Sequence, residues 1–465
     1  MPEVTLGKHY TDHGSDRVSY SRLLESVLIP GYYSLRGRRY SQYRKLLEKS
    51  QWWSRERIYE FQWRELRRLL EHTFHSVPYY RKKYALAGIE LGDIKTRDDF
   101  AKLPALTRDE INNHRTELCS TSNAQRLIPH ATGGSSGVPT RFLITLDSYD
   151  WRTCASARAY SWSGYRIGEP ALYLWGAPVG KNSRLKSAKL DCYRFFRREL
   201  NVSTFSQTPE LWRQIFKRAL RFRPKLIVGY VSSLEQFARF LIEEGGPIPG
   251  VEAVVAAAEP VYESTRQLTQ QAFRAPLFNT YGSREFMSIA AECEHHDGLH
   301  VHAENLLVET ELDSDYGPSE FLVTDLHNYG MPFIRYRIGD IGRLGNAHCP
   351  CGRGLPLLQG IEGRVLEVLR TPEGRVVPGE FFPHLMKDAP EVKEFRVQQI
   401  SLDEIIVSVV LSQELSGASQ GMLRQEALKV FGSETRITIK PVDAIPPLAS
   451  GKRSVTAGFR QASST

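Results

Sequence analysis

A loop rich in glycine and hydroxyl side chains reads Thr132-Gly133-Gly134-Ser135-Ser136-Gly137-Val138-Pro139-Thr140. Its glycines let the backbone approach an anion closely, and successive backbone N–H groups can form an anion-binding nest. The hydroxyls of Ser135, Ser136 and Thr140 add hydrogen-bond donors, so a polyphosphate is the natural ligand. The stretch lacks the Gly-Lys-Ser/Thr ending of a Walker loop. A flexible surface loop has the same composition and is the alternative interpretation.

Short apolar runs and amphipathic stretches alternate around and after this loop, over residues 125–345. The runs that predict buried strands are Ala171–Trp175, Leu226–Gly229, Val251–Ala258 and Phe321–Val323. The stretches with helical spacing of apolar residues are Leu211–Phe222 and Ser233–Glu244. Strand–helix alternation of this kind predicts an α/β core with substantial parallel sheet.

The two ends of the chain differ from this core. Apolar residues at helical spacing predict a helix over Ile58–Ser76, which Val77-Pro78 ends, and the region before the core is mainly helical. After residue 362, the predicted elements are strands at Val392–Gln399, Ile405–Val410 and Arg436–Pro441 and a helix at Gly421–Val430. We therefore predict a large domain over 1–362, with a helical segment 15–120 and the α/β core 125–345, and a small mobile α+β domain over 363–465.

Composition excludes several classes of protein. The 465 residues are 41% hydrophobic and 11% aromatic, which rules out a chain that is mainly disordered. No apolar run approaches the roughly 18 residues of a membrane span, and no secretory signal precedes the first helix, so we expect a soluble cytoplasmic protein. The 61 Lys and Arg outnumber the 53 Asp and Glu. A basic, zinc-containing nucleic-acid-binding protein is one alternative, but the basic residues are dispersed and no recognition module is present, so we predict no nucleic-acid partner.

Three further motifs follow the loop in order: Asn279-Thr280-Tyr281-Gly282-Ser283-Arg284-Glu285, Tyr336-Arg337-Ile338-Gly339-Asp340 and Leu448-Ala449-Ser450-Gly451-Lys452. Tyr281 can stack on a base, and Glu285 can hold Mg²⁺ beside a phosphate. Asp340 after a Gly turn suits a pair of ribose hydroxyls, and Lys452 is a candidate mobile cation. Each motif alone is an ordinary turn or tail. Their order along one chain is the discriminating feature.

In this order the motifs resemble those of adenylate-forming enzymes of the acyl-CoA synthetase superfamily. Within it, the chain is most similar to phenylacetate–CoA ligases and CapK-type proteins, and the residues that carry this are Tyr79-Tyr80-Arg81-Lys82-Lys83-Tyr84, Ala87-Gly88-Ile89, Leu103-Pro104-Ala105-Leu106-Thr107 and His130. The resemblance implies an α/β fold with a large N-terminal adenylate-forming domain, a helical N-terminal segment and mixed or parallel sheets. A small α+β C-terminal domain follows it.

The resemblance also implies a two-step reaction. A carboxylic acid, aryl or otherwise bulky and apolar, reacts with ATP to give an acyl-adenylate and pyrophosphate, and CoA then displaces AMP. The residues implied to bind ATP are Thr132, Gly134, Ser135, Ser136, Gly137 and Thr140 at the phosphates, Ala258, Glu259 and Pro260 at the adenine, Tyr281 and Gly282 beside it, Glu285 at Mg²⁺, and Asp340 with Arg364 at the ribose. Lys452 is implied to be catalytic in adenylation. The residues implied to line the acyl pocket are Trp175, Gly176, Tyr230, Val231 and Ser232.

Two departures from the family pattern bear on the second step. Val138 stands where many relatives have Lys, and the segment after Arg364 lacks the Asp-rich hinge of the phenylacetate ligases, which leaves the expected hinge at Gly363–Glu367 uncertain. The acyl acceptor is therefore CoA or, as the alternative, an amine or hydroxyl in capsule or natural-product biosynthesis. The acid, the pathway and a possible homodimer stay open at this point.

Three of the six cysteines and a histidine form a separate cluster in the sequence, Cys293, His300, Cys349 and Cys351. Thiolates with an imidazole match a closed, tetrahedral, structural Zn²⁺ site, and the relatives have Cys…His and Cys-x-Cys in the same places. The alternative is reduced, unligated thiols beside surface histidines. His295, His296, His302 and His348 lie close by in the sequence, so the choice of histidine is open.

Overall fold

The computed structural model describes residues 19–122, 126–132, 140–175, 184–205, 208–310, 319–345, 348–362, 369–373, 375–377, 381–386, 388–445 and 456–457. Most of the glycine-rich loop, the expected hinge, Arg364 and Lys452 lie outside these residues.

Seven helices begin the described chain: α1 Tyr20–Leu23, α2 Ile29–Ser34, α3 Tyr40–Ser50, α4 Arg55–Ser76, α5 Pro78–Leu86, α6 Arg97–Ala101 and α7 Arg108–Asn113. Helix α4 starts at the N-cap Ser54, whose hydroxyl accepts the N–H of Arg57, and ends at Val77, before Pro78. Helix α7 starts with a capping box between Thr107 and Glu110. No helix of the described residues is long and apolar enough to cross a bilayer.

The α/β core contains four helices between the strands of one large sheet and one beside a hairpin. In chain order the elements are β1 Leu127–Ala131, β2 Arg141–Thr145, α8 Leu146–Ser161, β3 Ala171–Trp175, α9 Arg184–Arg197, β4 Glu199–Ser203, α10 Pro209–Phe222, β5 Leu226–Tyr230, α11 Val231–Phe240, β6 Ala253–Ala257, α12 Glu263–Phe273 and β7 Leu277–Ser283. Strands β1 and β2 form an antiparallel hairpin, and the glycine-rich loop connects them.

Strand hairpins continue the sheet without helices: β8 Met287–Glu292, β9 Leu299–Val301, β10 Leu306–Thr310, β11 Ser319–Asp325, β12 Tyr336–Gly345 and β13 Leu357–Glu362. Among the described residues the sheet has eleven strands in the order β10-β11-β12-β13-β9-β8-β7-β6-β5-β3-β4. The strands from β4 to β7 pair in parallel, and those from β7 to β10 pair antiparallel.

The predicted α/β class is thus confirmed, although only four of the ten strand pairings described in this sheet are parallel. Parallel neighbours need a crossover connection, commonly a helix. The predicted helices over Leu211–Phe222 and Ser233–Glu244 supply two such crossovers, whereas β7 and β8 are separated by only three residues. Strand β6 is shorter than predicted, because Ala258 takes a left-handed backbone conformation with φ of 69° and ends it.

The small C-terminal unit has its own core. Its elements are β14 Leu369–Arg370, β15 Val376–Val377, α13 Phe381–Met386, β16 Val392–Ser401, β17 Glu404–Leu411, α14 Gly417–Phe431, β18 Arg436–Pro441 and β19 Thr456–Ala457. The described strands of its larger sheet have the order β18-β17-β16-β19. Phe205 and Tyr230 of the α/β core pack into the same apolar cluster as the residues of this unit.

Gly282 marks a very close approach between β7 and β8. A Cβ atom at this position would lie 2.0 Å from the carbonyl oxygen of Met287. Since real contacts of this kind never come so close, only glycine allows the hairpin its present geometry.

We predict that Gly282→Ala lowers the stability of the protein by about 1–3 kcal/mol, because the backbone of β8 must move away from the new methyl group. Thermal melting checks this. Gly421→Ala is the matched control: Gly421 lies in α14 with no heavy atom near its Cβ position, so it should raise stability by up to about 1 kcal/mol. Equal melting temperatures for Gly282→Ala and the wild type would contradict the prediction.

Candidate active site

The carboxyl ends of β5 and β6 form the first part of the site. Ser232 lies at the start of α11, directly after β5, and Glu259 lies two residues after β6. The backbone N–H of Ser232 donates to Glu259 Oε2 at 2.6 Å, and its hydroxyl donates to Oε1 at 3.0 Å. Ligands of open α/β sheets bind in the crevice outside these strand ends.

The carboxyl group of Glu259 has a raised pKa. Burial raises the pKa of its carboxyl group from the ordinary 4.5 to about 7, and the charge of Glu235 acts in the same direction. The two hydrogen bonds from Ser232 oppose this shift without cancelling it. The side chain can therefore exchange a proton near neutral pH.

Tyr281 and Asp340 meet although they lie on strands that are far apart in the sheet. The Tyr281 hydroxyl donates to Asp340 Oδ2 at 2.8 Å, while β8, β9 and β13 separate β7 from β12. At about 4.8 Å per strand, a flat sheet would place the two strands about 19 Å apart. The sheet must therefore coil strongly, and the coil brings the second and third motifs together.

Glu285 lies in a polar cluster beneath this pair. Its carboxylate is 4% exposed, accepts a hydrogen bond from the Tyr336 hydroxyl at 3.2 Å and lies 3.8 Å from the guanidinium of Arg108. Arg108 Nη1 is buried and has no hydrogen-bond partner among the described residues. A buried cationic donor without an acceptor is costly, so this atom is suited to an anionic ligand.

Arg108 is absent from the residues that the sequence singles out. It follows directly after the Leu103–Thr107 signature, and that position was the available signal. Nothing in the sequence places the start of α7 beside Tyr336 and Glu285, so only the structure shows this position.

The ends of the glycine-rich loop are tied together. Thr132 and Thr140 exchange two hydrogen bonds of 2.9 Å, from Thr132 N to Thr140 O and from Thr140 N to the Thr132 hydroxyl. The Thr140 hydroxyl oxygen is buried without a partner in the described part of the chain. Both ends of the loop are therefore fixed, and Gly134, Ser135, Ser136 and Gly137 lie outside the described residues.

Two stacked aromatic rings lie at the carboxyl ends of the neighbouring strands β3 and β5. The rings of Trp175 and Tyr230 stack with their centroids 4.4 Å apart. His384 of helix α13 lies 3.4 Å from the Tyr230 hydroxyl, and Arg284 lies 3.0 Å from the same imidazole. The C-terminal unit thus contacts the residues expected to line the acyl pocket. Gly176 lies outside the described residues.

The cysteine cluster forms a compact donor set. One ligand atom each from Cys293, His300, Cys349 and Cys351 lies within 4.8 Å of all the others. Cys293 Sγ and Cys349 Sγ are 3.6 Å apart, and Cys351 Sγ lies 3.3 Å from His300 Nε2. Tetrahedral Zn²⁺ with Zn–S bonds of about 2.3 Å places two sulfurs about 3.8 Å apart, so the donors fit this ion.

The surroundings of these donors also suit a metal. The backbone N–H of His295 donates to Cys293 Sγ at 3.5 Å, and that of Arg353 donates to Cys351 Sγ at 3.4 Å. Against the effect of burial, the hydrogen bonds from Arg353 lower the pKa of Cys351, whereas burial raises the pKa of Cys293 to about 12. A bound cation would therefore be needed to hold Cys293 as a thiolate. Burial, followed by the charge of Arg353, lowers the pKa of His300 to about 4, so its imidazole is neutral and able to ligate.

The neighbouring histidines make other contacts. His302 lies 2.9 Å from the Ser288 hydroxyl and 3.2 Å from Arg158, and His296 pairs with Glu292 at 2.9 Å. His300 is therefore the histidine that the structure brings to the three cysteines.

The comparisons with known proteins agree with this geometry. Residues 369–457 match the family model described as the CapK C-terminal domain. A phenylacetate-coenzyme A ligase of Thermus thermophilus is 24% identical over 430 residues, covering 84% of this chain and 93% of that protein. The protein CapK of Staphylococcus aureus is 23% identical, covering 80% and 82%.

Solved structures with a similar fold are also found. The structure of 2-hydroxyisobutyryl-CoA ligase with 2-HIB-AMP and CoA in the thioesterification state has a TM-score of 0.57 at 20% identity, covering 87% of this chain and 90% of that one. The structure of the same ligase in a postadenylation state has a TM-score of 0.54. The predicted resemblance to adenylate-forming enzymes of the phenylacetate–CoA ligase and CapK type is therefore confirmed.

We predict that Glu259→Gln removes a pH-dependent loss of stability. The raised pKa means that the folded state binds the Glu259 proton more tightly than the unfolded chain does, so wild-type stability falls as pH rises from the unfolded value of 4.5 through about 7. The melting temperature of the variant relative to wild type should therefore rise between pH 5 and pH 8. The exposed Glu263→Gln in α12 serves as control, with no pH trend. Parallel curves for Glu259→Gln and wild type would disprove this account.

Proposed function

We propose that this protein is an AMP-forming ligase that activates a carboxylic acid with ATP and transfers the acyl group to CoA. The observation that supports this best is the hydrogen bond from Tyr281 to Asp340. Glu285 is bound by Tyr336 on the same strand as Asp340, and Glu259 is bound by Ser232 at the ends of β5 and β6. Tyr281, Asp340, Glu285 and Glu259 are four of the residues that the family resemblance assigns to ATP. The relatives named as phenylacetate-coenzyme A ligases support the same activity.

In the first half-reaction, a carboxylate oxygen of the acid attacks the α-phosphorus of ATP, and the bond to the β-phosphate oxygen breaks. Acyl-adenylate and pyrophosphate result. Negative charge grows on the phosphate oxygens in the transition state, so fixed donors and cations there accelerate the reaction without reorganisation. Tyr281 and the segment Ala258–Pro260 hold the adenine in this proposal, and Asp340 with Arg364 holds the ribose.

The phosphates have two sources of stabilisation. The loop with Ser135, Ser136 and Gly137 cradles them, and its fixed end supplies the unpartnered Thr140 hydroxyl. Val138 stands in this loop where many relatives have a lysine, so that positive charge is absent here. The unpartnered Nη1 of Arg108 can supply the missing positive charge.

Glu285 would hold Mg²⁺ at these phosphates, because carboxylate oxygen is a ligand that this ion prefers. The ion would neutralise part of the phosphate charge. Lys452 then bridges the acid and the α-phosphate during adenylation. Since it belongs to the C-terminal domain, movement at a hinge near Gly363–Glu367 withdraws it before the second half-reaction.

In the second half-reaction the CoA thiolate attacks the acyl carbon, and AMP leaves. The CoA-ligase relatives and structures favour CoA over the alternative amine or hydroxyl acceptor. The stacked rings of Trp175 and Tyr230 favour an aryl or bulky apolar acid. ATP and CoA are both available in the cytoplasm, where we place the enzyme.

We further propose that Cys293, His300, Cys349 and Cys351 hold a structural Zn²⁺. All four donors are used, which leaves no open position for substrate and makes the site closed rather than catalytic. The ion would tie the end of β8 to β9 and to the loop before β13.

We predict acid-dependent ATP–pyrophosphate exchange when the protein is screened with aryl and branched aliphatic acids. With the best acid, AMP release should depend on CoA and remain at background with amines or alcohols. No exchange with any acid would reject the ligase proposal. AMP release that requires an amine or alcohol would show that this compound, and not CoA, is the acyl acceptor.

Lys452→Ala should reduce this exchange by at least about 100-fold, because a cation at the transferring phosphate is lost, while thioester formation from supplied acyl-adenylate persists. Lys440→Ala removes an exposed lysine of the same domain and should leave both half-reactions unchanged. Exchange at the wild-type rate in Lys452→Ala would refute the role of this lysine.

We predict about one zinc per chain in protein purified without chelator, measured by plasma mass spectrometry. Cys351→Ser should lose the metal and lower the melting temperature, because the loops that it connects are released. Cys119→Ser changes a half-buried free thiol elsewhere, and this variant should keep the zinc content and melting temperature of the wild type. Metal-free wild-type protein, or full zinc in Cys351→Ser, would show that the thiols are unligated.

A further inference from the structure

A patch of exposed apolar side chains lies away from the active site. Nine of the sixteen large hydrophobic residues that are exposed in the described part of the chain fall in two short segments, Tyr20, Leu23, Val27, Leu28, Tyr32 and Leu35 in the first, and Tyr193, Phe195 and Phe196 in the second. Leu35 is 91% exposed and Phe195 is 78% exposed. Apolar side chains concentrated in this way mark an interaction surface.

The two segments form one continuous surface, which we call the N-terminal apolar patch. The Tyr20 hydroxyl donates to the carbonyl oxygen of Phe196 at 2.6 Å, and the guanidinium of Arg198 lies 5.9 Å from the Tyr20 ring. A groove of about 520 Å³ runs between them, lined by Tyr20, Phe195, Phe196, Leu200 and Phe222 among others.

The helical segment that carries this patch is firmly attached by its other face. Leu24 is buried against Gly168, whose Cβ position is only 2.8 Å from Leu24 Cδ2. The ring of Tyr33 stacks on Tyr40 at 4.3 Å. The segment thus carries apolar side chains on two faces, and packing within the described chain covers only the inner one. An exposed apolar surface of this kind is typical of an interaction site.

The charge around the patch identifies the covering partner. Residues 19–39 and 188–200 together carry eight Lys or Arg and three Asp or Glu. Four of the basic residues are paired with carboxylates: Arg38 with Asp150, Arg39 with Asp147, Arg194 with Asp191 and Arg197 with Glu199. Arg36, Lys189 and Arg198 are exposed and have no ion pair among the described residues, so they supply the free positive charge at the patch. The partner is therefore anionic as well as apolar.

A bilayer with anionic lipids meets both requirements, because its acyl chains take up apolar side chains and its head groups attract arginine. A second copy of this chain fits less well, since a symmetric interface would place the arginines of one patch against those of the other. Nucleic acid would use the arginines and aromatic rings but leave Leu23, Val27 and Leu35 without a partner. We propose that the N-terminal apolar patch docks the protein on the surface of an anionic membrane.

Co-sedimentation of the full chain with vesicles tests this proposal. The vesicles are phosphatidylcholine alone or with about 30% phosphatidylserine. We expect binding to the anionic vesicles to be at least about tenfold stronger and to weaken with salt. The double variant Leu35→Ser with Phe195→Ser should bind the anionic vesicles about tenfold more weakly, because apolar contacts are lost. The double variant Arg36→Glu with Lys189→Glu should weaken binding by a similar factor, because positive charge is lost.

Matched controls change equally exposed residues elsewhere. Leu86→Ser removes a side chain that is 90% exposed, and Lys393→Glu reverses an exposed charge on the C-terminal domain. Both should bind vesicles as the wild type does. All variants should keep their melting temperature and pyrophosphate exchange, because none changes a residue of the active site.

Three results would overturn the proposal. The first is equal or absent binding to the two kinds of vesicle. The second is a dimer in light scattering that Leu35→Ser with Phe195→Ser dissociates, since a second copy would then cover the patch. The third is binding of single-stranded RNA through the same residues with no binding of vesicles.

Discussion

The close backbone contact between β7 and β8 at Gly282 is the constraint on which the site depends. At this hairpin the sheet changes from parallel to antiparallel pairing, and helices no longer separate its strands. Tyr281 lies before the contact and Glu285 after it, so one turn carries an aromatic ring and a carboxylate. The antiparallel strands then coil until β12 returns to the same place and brings Asp340 within hydrogen-bond distance of Tyr281.

The cysteine cluster connects the strands that make this coil. Cys293 follows β8, His300 lies on β9, and Cys349 and Cys351 precede β13. These three strands are the ones that separate β7 from β12 in the sheet. A metal ion held there would therefore act on the active site from a distance, by fixing the curvature that joins its two halves.

The C-terminal unit contacts the α/β core near the stacked rings of Trp175 and Tyr230. His384 lies between Tyr230 of the core and Arg284 of the β7–β8 turn, and Phe205 meets Phe381 edge to face at 5.2 Å. Aromatic packing and the polar contacts of His384 therefore act together at this interface. In the proposed two-step reaction, movement of the C-terminal unit would have to break these contacts.

Local pattern was enough for many of the helices and strands themselves: the helix predicted over Ile58–Ser76 ends at Ser76 before Val77-Pro78, and β3 and β18 have the predicted bounds. The order of the motifs likewise indicated the resemblance to adenylate-forming enzymes, and the Cys and His cluster suggested the four metal-binding candidates. The coil that joins Tyr281 to Asp340, the choice of His300, and the place of Arg108 beside Glu285 came only from the tertiary structure. The physical reason is that periodicity and caps act over a few residues, whereas these contacts join residues about 50 to 180 positions apart, whose distance depends on the curvature of the whole sheet.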